Sequence, residues 1–182
     1  MKYAIAIDVG IKNLGFCVFD FTTAKVVHWH NYSLVPTGPY VPSRNVQYVR
    51  DFVKSTRKWF DEAFVVVIER QMRANMRIIE SIIHALHFDK TIVINPKAVK
   101  VHYDLSMRNY KLNKQAAVEW VKTFVAANRT TAFDATVHDV CDLFANQKIK
   151  RDDYADALLL CLYFLDTYSN QLVSMQELEH EQ

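Results

Sequence analysis

Glycine, proline and cysteine are all scarce in this chain. Of its 182 residues, 3 are glycine, 4 are proline and 3 are cysteine. So few glycines and prolines leave little material for a long flexible linker, and a single folded domain over residues 1–182 is expected, with an acidic tail over 170–182. The cysteines, Cys17, Cys141 and Cys161, stand far apart in apolar company and form no CxxC pair. That argues against a thiolate zinc site and for buried thiols in a reducing compartment. No apolar run reaches the roughly 18 residues that a bilayer span requires. The opening "MKYAIAIDVG" breaks too early for a secretory signal. The expectation is a soluble intracellular protein with no membrane partner.

What is present is apolar and aromatic. Hydrophobic residues make up 51% and aromatic ones 13%, the composition of a chain with a real core. The net charge of +2 hides an asymmetry. Between Arg70 and Lys114 nine Lys or Arg face only three acids, Glu80, Asp89 and Asp104. From Asp166 onward there is no Lys or Arg and there are four acids. A basic central stretch suits a polyanionic partner, and a solvated helix face is the plain alternative.

Patterning predicts strands at Lys2–Val9, Gly15–Asp20 and Lys25–Leu34, linked as consecutive hairpins. The segment "VPTGPYVPS" reads as a loop, Arg44–Glu62 as one helix, and "FVVVIE" (Phe64–Glu69) as a buried parallel strand. A helix over Met76–Phe88 and a strand "TIVIN" (Thr91–Asn95) follow. Helices are then expected near Lys97–Val101 and over Lys114–Ala127, Ala132–Phe144 and Asp152–Tyr168. Hairpins early and crossovers late call for an α/β fold with a mixed sheet of about five strands and helices on both faces.

Two of the apolar strands end in carboxylates, "AIAIDVG" in Asp8 and "VVVIERQ" in Glu69. A charge at the end of a buried strand escapes the desolvation cost of the sheet's middle and stands where α/β sheets place ligands. In "KRDDYADALLLCLYFL", Asp153 and Asp156 lie three apart, hence on one helical face, before an apolar run. Asp152 suits the N-cap position. Four clustered carboxylates repel one another unless cations are present. Oxygen donors without thiol or imidazole companions favour Mg²⁺, with Mn²⁺ able to substitute, and two such ions beside a basic surface suit phosphodiester chemistry. Asp8 would then bridge the two ions.

At these residues the sequence resembles a known family. The wording "DVGIKNLGFCVFD", "VVVIERQMRANMR", "NKQAAVEW" and "KRDDYADALLL", in that order from about Lys2 to Leu165, resembles the RuvC-like Holliday junction resolvases of the RNase H (retroviral-integrase-like) fold, and within them the poxvirus and fungal mitochondrial branch. The resemblance implies an RNase H-like sheet, a homodimer, and Mg²⁺-dependent paired nicking of four-way DNA junctions. It assigns the metal-binding acids to Asp8, Glu69, Asp153 and Asp156. It implies a lysine near the scissile phosphate, for which Lys111 and Lys114 both qualify. It also implies a setting, viral DNA replication in the host cytoplasm or the mitochondrion. Segment Asn128–Lys150 stands as an insertion relative to smaller members.

Further residues carry a functional reading beside a plainer one. Arg70, Arg73 and Arg77, with Lys100 and Arg108, suit DNA phosphates, or are solvated charge. Gln71 suits DNA or an internal hydrogen bond, and Asn13 a sugar–phosphate or its own turn. His28 and His30 point the same way from one strand but lack a third metal ligand. Tyr103, Tyr110 and Phe133 suit base stacking or packing. Met72, Met76 and Ile79 suggest an apolar stripe, a candidate dimer face. Competing functions are one lobe of a sugar kinase or actin-like ATPase, disfavoured because "DVG" is the sole Asp-x-Gly, an RNase H-fold nuclease acting on RNA or an RNA–DNA hybrid, and a non-catalytic nucleic-acid-binding module.

Overall fold

The computed structural model describes residues 2–35, 37–106 and 109–179, with side chains in the last helix described through residue 168. Five strands form one mixed sheet: β1 (Tyr3–Asp8), β2 (Leu14–Asp20), β3 (Lys25–Tyr32), β4 (Ala63–Glu69) and β5 (Thr91–Ile94). Their order is β3-β2-β1-β4-β5. The β1–β2 and β2–β3 pairs are antiparallel, and β1–β4 and β4–β5 are parallel. This is the expected split between early hairpins and later crossovers.

Alternation along each strand divides the apolar residues into two layers. Ile5, Ile7, Phe16, Val18, Val66 and Ile68 face one side, under α1 (Asn45–Ser55), α2 (Arg57–Asp61) and α3 (Ala74–Leu86). Ala4, Ala6, Cys17, Trp29, Val65 and Val67 face the other, under α4 (Pro96–His102), α5 (Tyr110–Asn128), α6 (His138–Ala145) and α7 (Arg151–Glu179). Small residues at Ala4 and Ala6 leave space for α7, whose Ala155, Ala157, Leu158, Leu159, Leu160, Cys161 and Phe164 are all buried. Trp29 pins this helix to β3 by donating from Nε1 to the Tyr154 carbonyl at 2.9 Å.

Several expectations are corrected. The helix expected over Arg44–Glu62 is two helices, broken at Thr56 (φ −108°, ψ 13°). Its buried hydroxyl donates to the Phe52 carbonyl at 2.7 Å, the kind of local side-chain bond that competes with helix continuation. The helix expected over Ala132–Phe144 begins only at His138, after a 3-10 turn at Ala135–Val137. Phe133 instead bridges Val26 on the outer edge of β3, so part of the 128–150 segment covers a sheet edge that would otherwise be open. Phe133 is fully buried, which removes it as a base-stacking residue. Met72, Met76 and Ile79 form no single stripe. Met72 precedes α3 and is 84% exposed, whereas Ile79 is 0% exposed against the sheet. The helix expected over Asp152–Tyr168 begins at Arg151 and continues to Glu179, into the segment expected to be tail.

Candidate metal and nucleic-acid site

Asp8 and Glu69 immediately follow the paired residues Ile7 and Ile68 of parallel strands β1 and β4, so the two carboxylates emerge side by side at one end of the sheet. Two glycines shape what surrounds them. A Cβ at Gly10 would lie 2.0 Å from the Asn13 carbonyl oxygen, so the β1–β2 turn closes tightly only over glycine. Gly15, opposite Asp8 on β2, faces α7. A Cβ there would lie 2.3 Å from the Asp153 carbonyl oxygen and 2.9 Å from Cβ of Ala157. The bare backbone at Gly15 therefore seats the first turns of α7 against the sheet and brings Asp153 and Asp156 to the strand ends.

The four acids line one cleft of about 900 Å³ together with Asn13, Arg70, Gln71, Met72, Arg73, Lys100, Lys114 and Lys150. The electrostatics record their crowding. Burial, then the charges of Glu69, Asp156 and Asp153, push the Asp8 carboxyl well above the usual range. Burial and Asp156 push Glu69 up to about 8, against the opposing pull of Lys100 and Lys114. Burial also raises Asp153, outweighing its bond to Lys150. Burial weakens the solvent screening between these acids.

Lysines supply the compensation. Lys100 Nζ donates to Asp156 Oδ1, and Lys150 Nζ donates to Asp153 Oδ2 at 2.6 Å. Lys114 Nζ donates to Asp152 Oδ2 at 2.8 Å. Because α7 begins at Arg151, Asp152 is not the N-cap but a first-turn residue. Burial raises its carboxyl, and the bond and charge of Lys114 more than reverse this, leaving it below its ordinary value. With Asp153 and Asp156 turned onto lysines, no three His, Cys, Asp or Glu among the described residues form a ready-made ion cage.

The remaining candidates divide. Arg70 and Arg73 are exposed on the cleft. Arg77 lies on α3 and lines a separate groove with Ile78, Ile82 and Leu86. Gln71 is largely committed internally, its N–H donating to Glu80 Oε2 at 2.7 Å and its side-chain amide to the Glu69 carbonyl at 3.2 Å. Asn13 is half-buried on the cleft. Lys111 is exposed and outside the cleft lining, while Lys114 is within it. Arg108 lies outside the described residues, as does the side chain of Tyr110. His28 stacks on Trp59 at 5.3 Å and shares a 2.9 Å hydrogen bond with the Tyr32 hydroxyl, so it belongs to a packed aromatic group. Sequence reasoning missed Lys150 and the pairing of Asp152. The only signal for either was the run "KIKRDD", whose charges could not be matched to partners before α5 and α7 were brought together.

By fold, the chain is similar to the yeast mitochondrial Holliday junction resolvase Ydc2, at 20% identity and a TM-score of 0.67, covering 94% of this chain and 85% of that one. It is similar to the fowlpox virus Holliday junction resolvase at 19% identity and a TM-score of 0.63, covering 91% and 98%. The same fowlpox resolvase in complex with substrate Holliday junction DNA matches at 18% identity and a TM-score of 0.64, covering 91% and 97%. These structures share the RNase H-like fold with this chain. No curated protein matches it by sequence. No helix among the described residues is long and apolar enough to cross a membrane. The sequence profile of the family described as Poxvirus A22 protein matches residues 3–167, and the chain belongs to that family.

Proposed function

We propose that this protein is a Mg²⁺-dependent, structure-selective DNA endonuclease that resolves four-way junctions by paired symmetric nicks. The observation that carries this reading is the convergence of Asp8, Glu69, Asp153 and Asp156 from two strands and one helix into a single cleft edged by Lys100, Lys114, Arg70 and Arg73. Membership of the A22 family and the fold shared with two Holliday junction resolvases support the choice of substrate.

The donor set fits divalent metal. All four groups are hard carboxylates, and burial together with the neighbouring negative charge raises Asp8, Glu69 and Asp153 despite the nearby lysines. Asp8, Glu69, Asp153 and Asp156 would hold the ions, Mg²⁺ by preference with Mn²⁺ as substitute. Bound there, such ions polarise a phosphodiester and lower the pKa of a water molecule. The chain's own residues do the rest. To hold the ions, Asp153 and Asp156 would release Lys150 and Lys100. Arg70 and Arg73 take backbone phosphates and fix the scissile strand over the strand ends. Lys114, and Lys100 once released, set positive charge against the charge that develops on the phosphate.

Paired nicks on opposite strands require two such sites, and a homodimer supplies them about a two-fold axis that matches the junction's. The exposed strip of Ile78, half-buried Ile82 and exposed Leu86 on α3 is the apolar surface suited to the second copy. Leu86→Asp is expected to shift the dimer toward monomer by light scattering.

The deciding experiment incubates the protein with an immobile four-way junction, a matched duplex and an RNA–DNA hybrid, with and without Mg²⁺, alongside Asp8→Asn. Paired nicks confined to the junction, dependent on Mg²⁺ and abolished by Asp8→Asn, are expected. Cleavage of the hybrid instead would keep the site and overturn the substrate. Junction binding without cleavage in any divalent metal would leave a binding module.

A further inference from the structure

We propose that Asp152, which is not one of the four acids, is a positioning residue that fixes Lys114 in the cleft whether or not metal is bound. The proposal builds on the nuclease reading above. Three lysines line the cleft, and their shortest ion pairs go to three different acids of α7. Lys100 holds Asp156 and Lys150 holds Asp153. Those two carboxylates would be needed to hold the ions, so neither lysine would keep its place in the loaded site. Lys114 holds Asp152 at 2.8 Å, with side chains 33% and 22% exposed.

At about 100° per residue around a helix axis, Asp156 falls between Asp152 and Asp153, so Asp152 stands on the side of Asp156 away from Asp153 and is not among the residues that line the cleft. It points instead toward α5, which carries Lys114 and packs on α7 through Ala117, Val118 and Val121. The pair therefore spans a packed interface and survives the exchange of partners at Asp153 and Asp156. Asp152 Oδ2 also lies 3.5 Å from Lys150 Nζ. When Lys150 gives up Asp153, that same oxygen is at hand to receive it, which keeps a second positive charge at the cleft edge. A free lysine side chain samples many rotamers. Holding Lys114 in advance removes much of the cost of ordering it from the chemical step. It also distinguishes Lys114 from Lys111, which is exposed and outside the cleft lining.

Asp152→Asn keeps the shape and removes the charge. With Mg²⁺ and saturating junction, its nicking rate constant is expected to fall about 10- to 100-fold, as for other residues that orient a working group, with junction affinity nearly unchanged. Lys114→Ala should fall at least as far, and the double variant no further than Lys114→Ala alone. Additive losses would overturn the proposal. Asp152→Glu, which keeps the carboxylate, should recover part of the rate and guards against a simple folding defect. A second readout needs neither metal nor DNA. The Lys114 ammonium, followed by ¹⁵N NMR relaxation, should be ordered in the parent and measurably more mobile in Asp152→Asn. Equal order in both proteins would refute the positioning role even if no junction were cut. If the parent proves inactive on junctions while Lys114 loses its order in Asp152→Asn, the substrate reading fails and the positioning role stands.

Discussion

Replacing Gly15 by alanine should disable the cleft far more than it destabilises the fold. A methyl group at this position meets the Asp153 carbonyl oxygen at 2.3 Å, its carbon at 3.2 Å and Ala157 Cβ at 2.9 Å. None of these atoms belongs to a flexible side-chain end that could swing aside. Ordinary contact begins near 3.4 Å, so the first turn of α7 must retreat from β2 by about 1 Å. The body of the helix cannot follow freely, because Leu158, Leu159, Leu160 and Phe164 are fully buried. The strain falls on the turn that carries Asp153 and Asp156. Overpacking of this kind costs about 1–3 kcal/mol of stability. A shift of about 1 Å in a catalytic group costs about 100-fold in rate. Urea denaturation would read the first quantity, and junction nicking well below the melting temperature the second. Gly38→Ala is the control. Gly38 has φ +78° but nothing within 4 Å of the added methyl, so Ala there should cost about 1–2 kcal/mol from backbone strain and leave nicking untouched. If Gly15→Ala nicks at the parent rate and melts with the parent, the close seating of α7 does not position the acids.

Three other perturbations probe separate parts of the argument. Glu69 is raised from 4.5 to about 8 by burial and by Asp156; the unfolded chain releases this proton first, so metal-free stability should fall as pH rises through that window. Thermal melts should show Glu69→Gln flattening the decline, and added Mg²⁺ raising the melting temperature more at the alkaline end. His28 is lowered from 6.5 to about 4 by burial, with His30 and Lys58 adding to it; the unfolded chain binds this proton first, so stability present above 6.5 should be lost as pH falls toward 4, and His28→Phe should remove that component of the acid transition. Arg73→Gln should reduce the slope of log junction affinity against log salt by about 0.9 if the side chain neutralises one phosphate. An unchanged slope in fluorescence anisotropy titrations would take Arg73 off the DNA path.

Much of this architecture is legible in the sequence because it is local. A β-branched run ending in Glu69, an alternating run ending in Asp8 and a D-x-x-D pattern before an apolar helix each declare an element and the position of a carboxylate on it. What stays hidden depends on pairing between distant elements. The break at Thr56 rests on one hydroxyl finding the Phe52 carbonyl, and helical periodicity runs through it unaltered. The role of Gly15 requires knowing that Asp153 lies across from it. The lysines are hidden for the same reason. Lys100, Lys114 and Lys150 come from α4, from α5 and from the residue just ahead of α7, and each looks like ordinary surface charge until the helices meet.

A chain that places four carboxylates at one end of a sheet must offset their repulsion in every state, by protonation or by counter-charge. Here, part of that charge sits on side chains long enough to withdraw. Two of the three lysines stand on carboxylates that an incoming cation would claim, and the third stands on one that it would not. With the site loaded, Lys100 would be set free toward the phosphate backbone, while Asp152 would be at hand for Lys150. Metal loading and DNA binding should therefore be coupled, with Mg²⁺ tightening junction binding even in a variant too slow to cut.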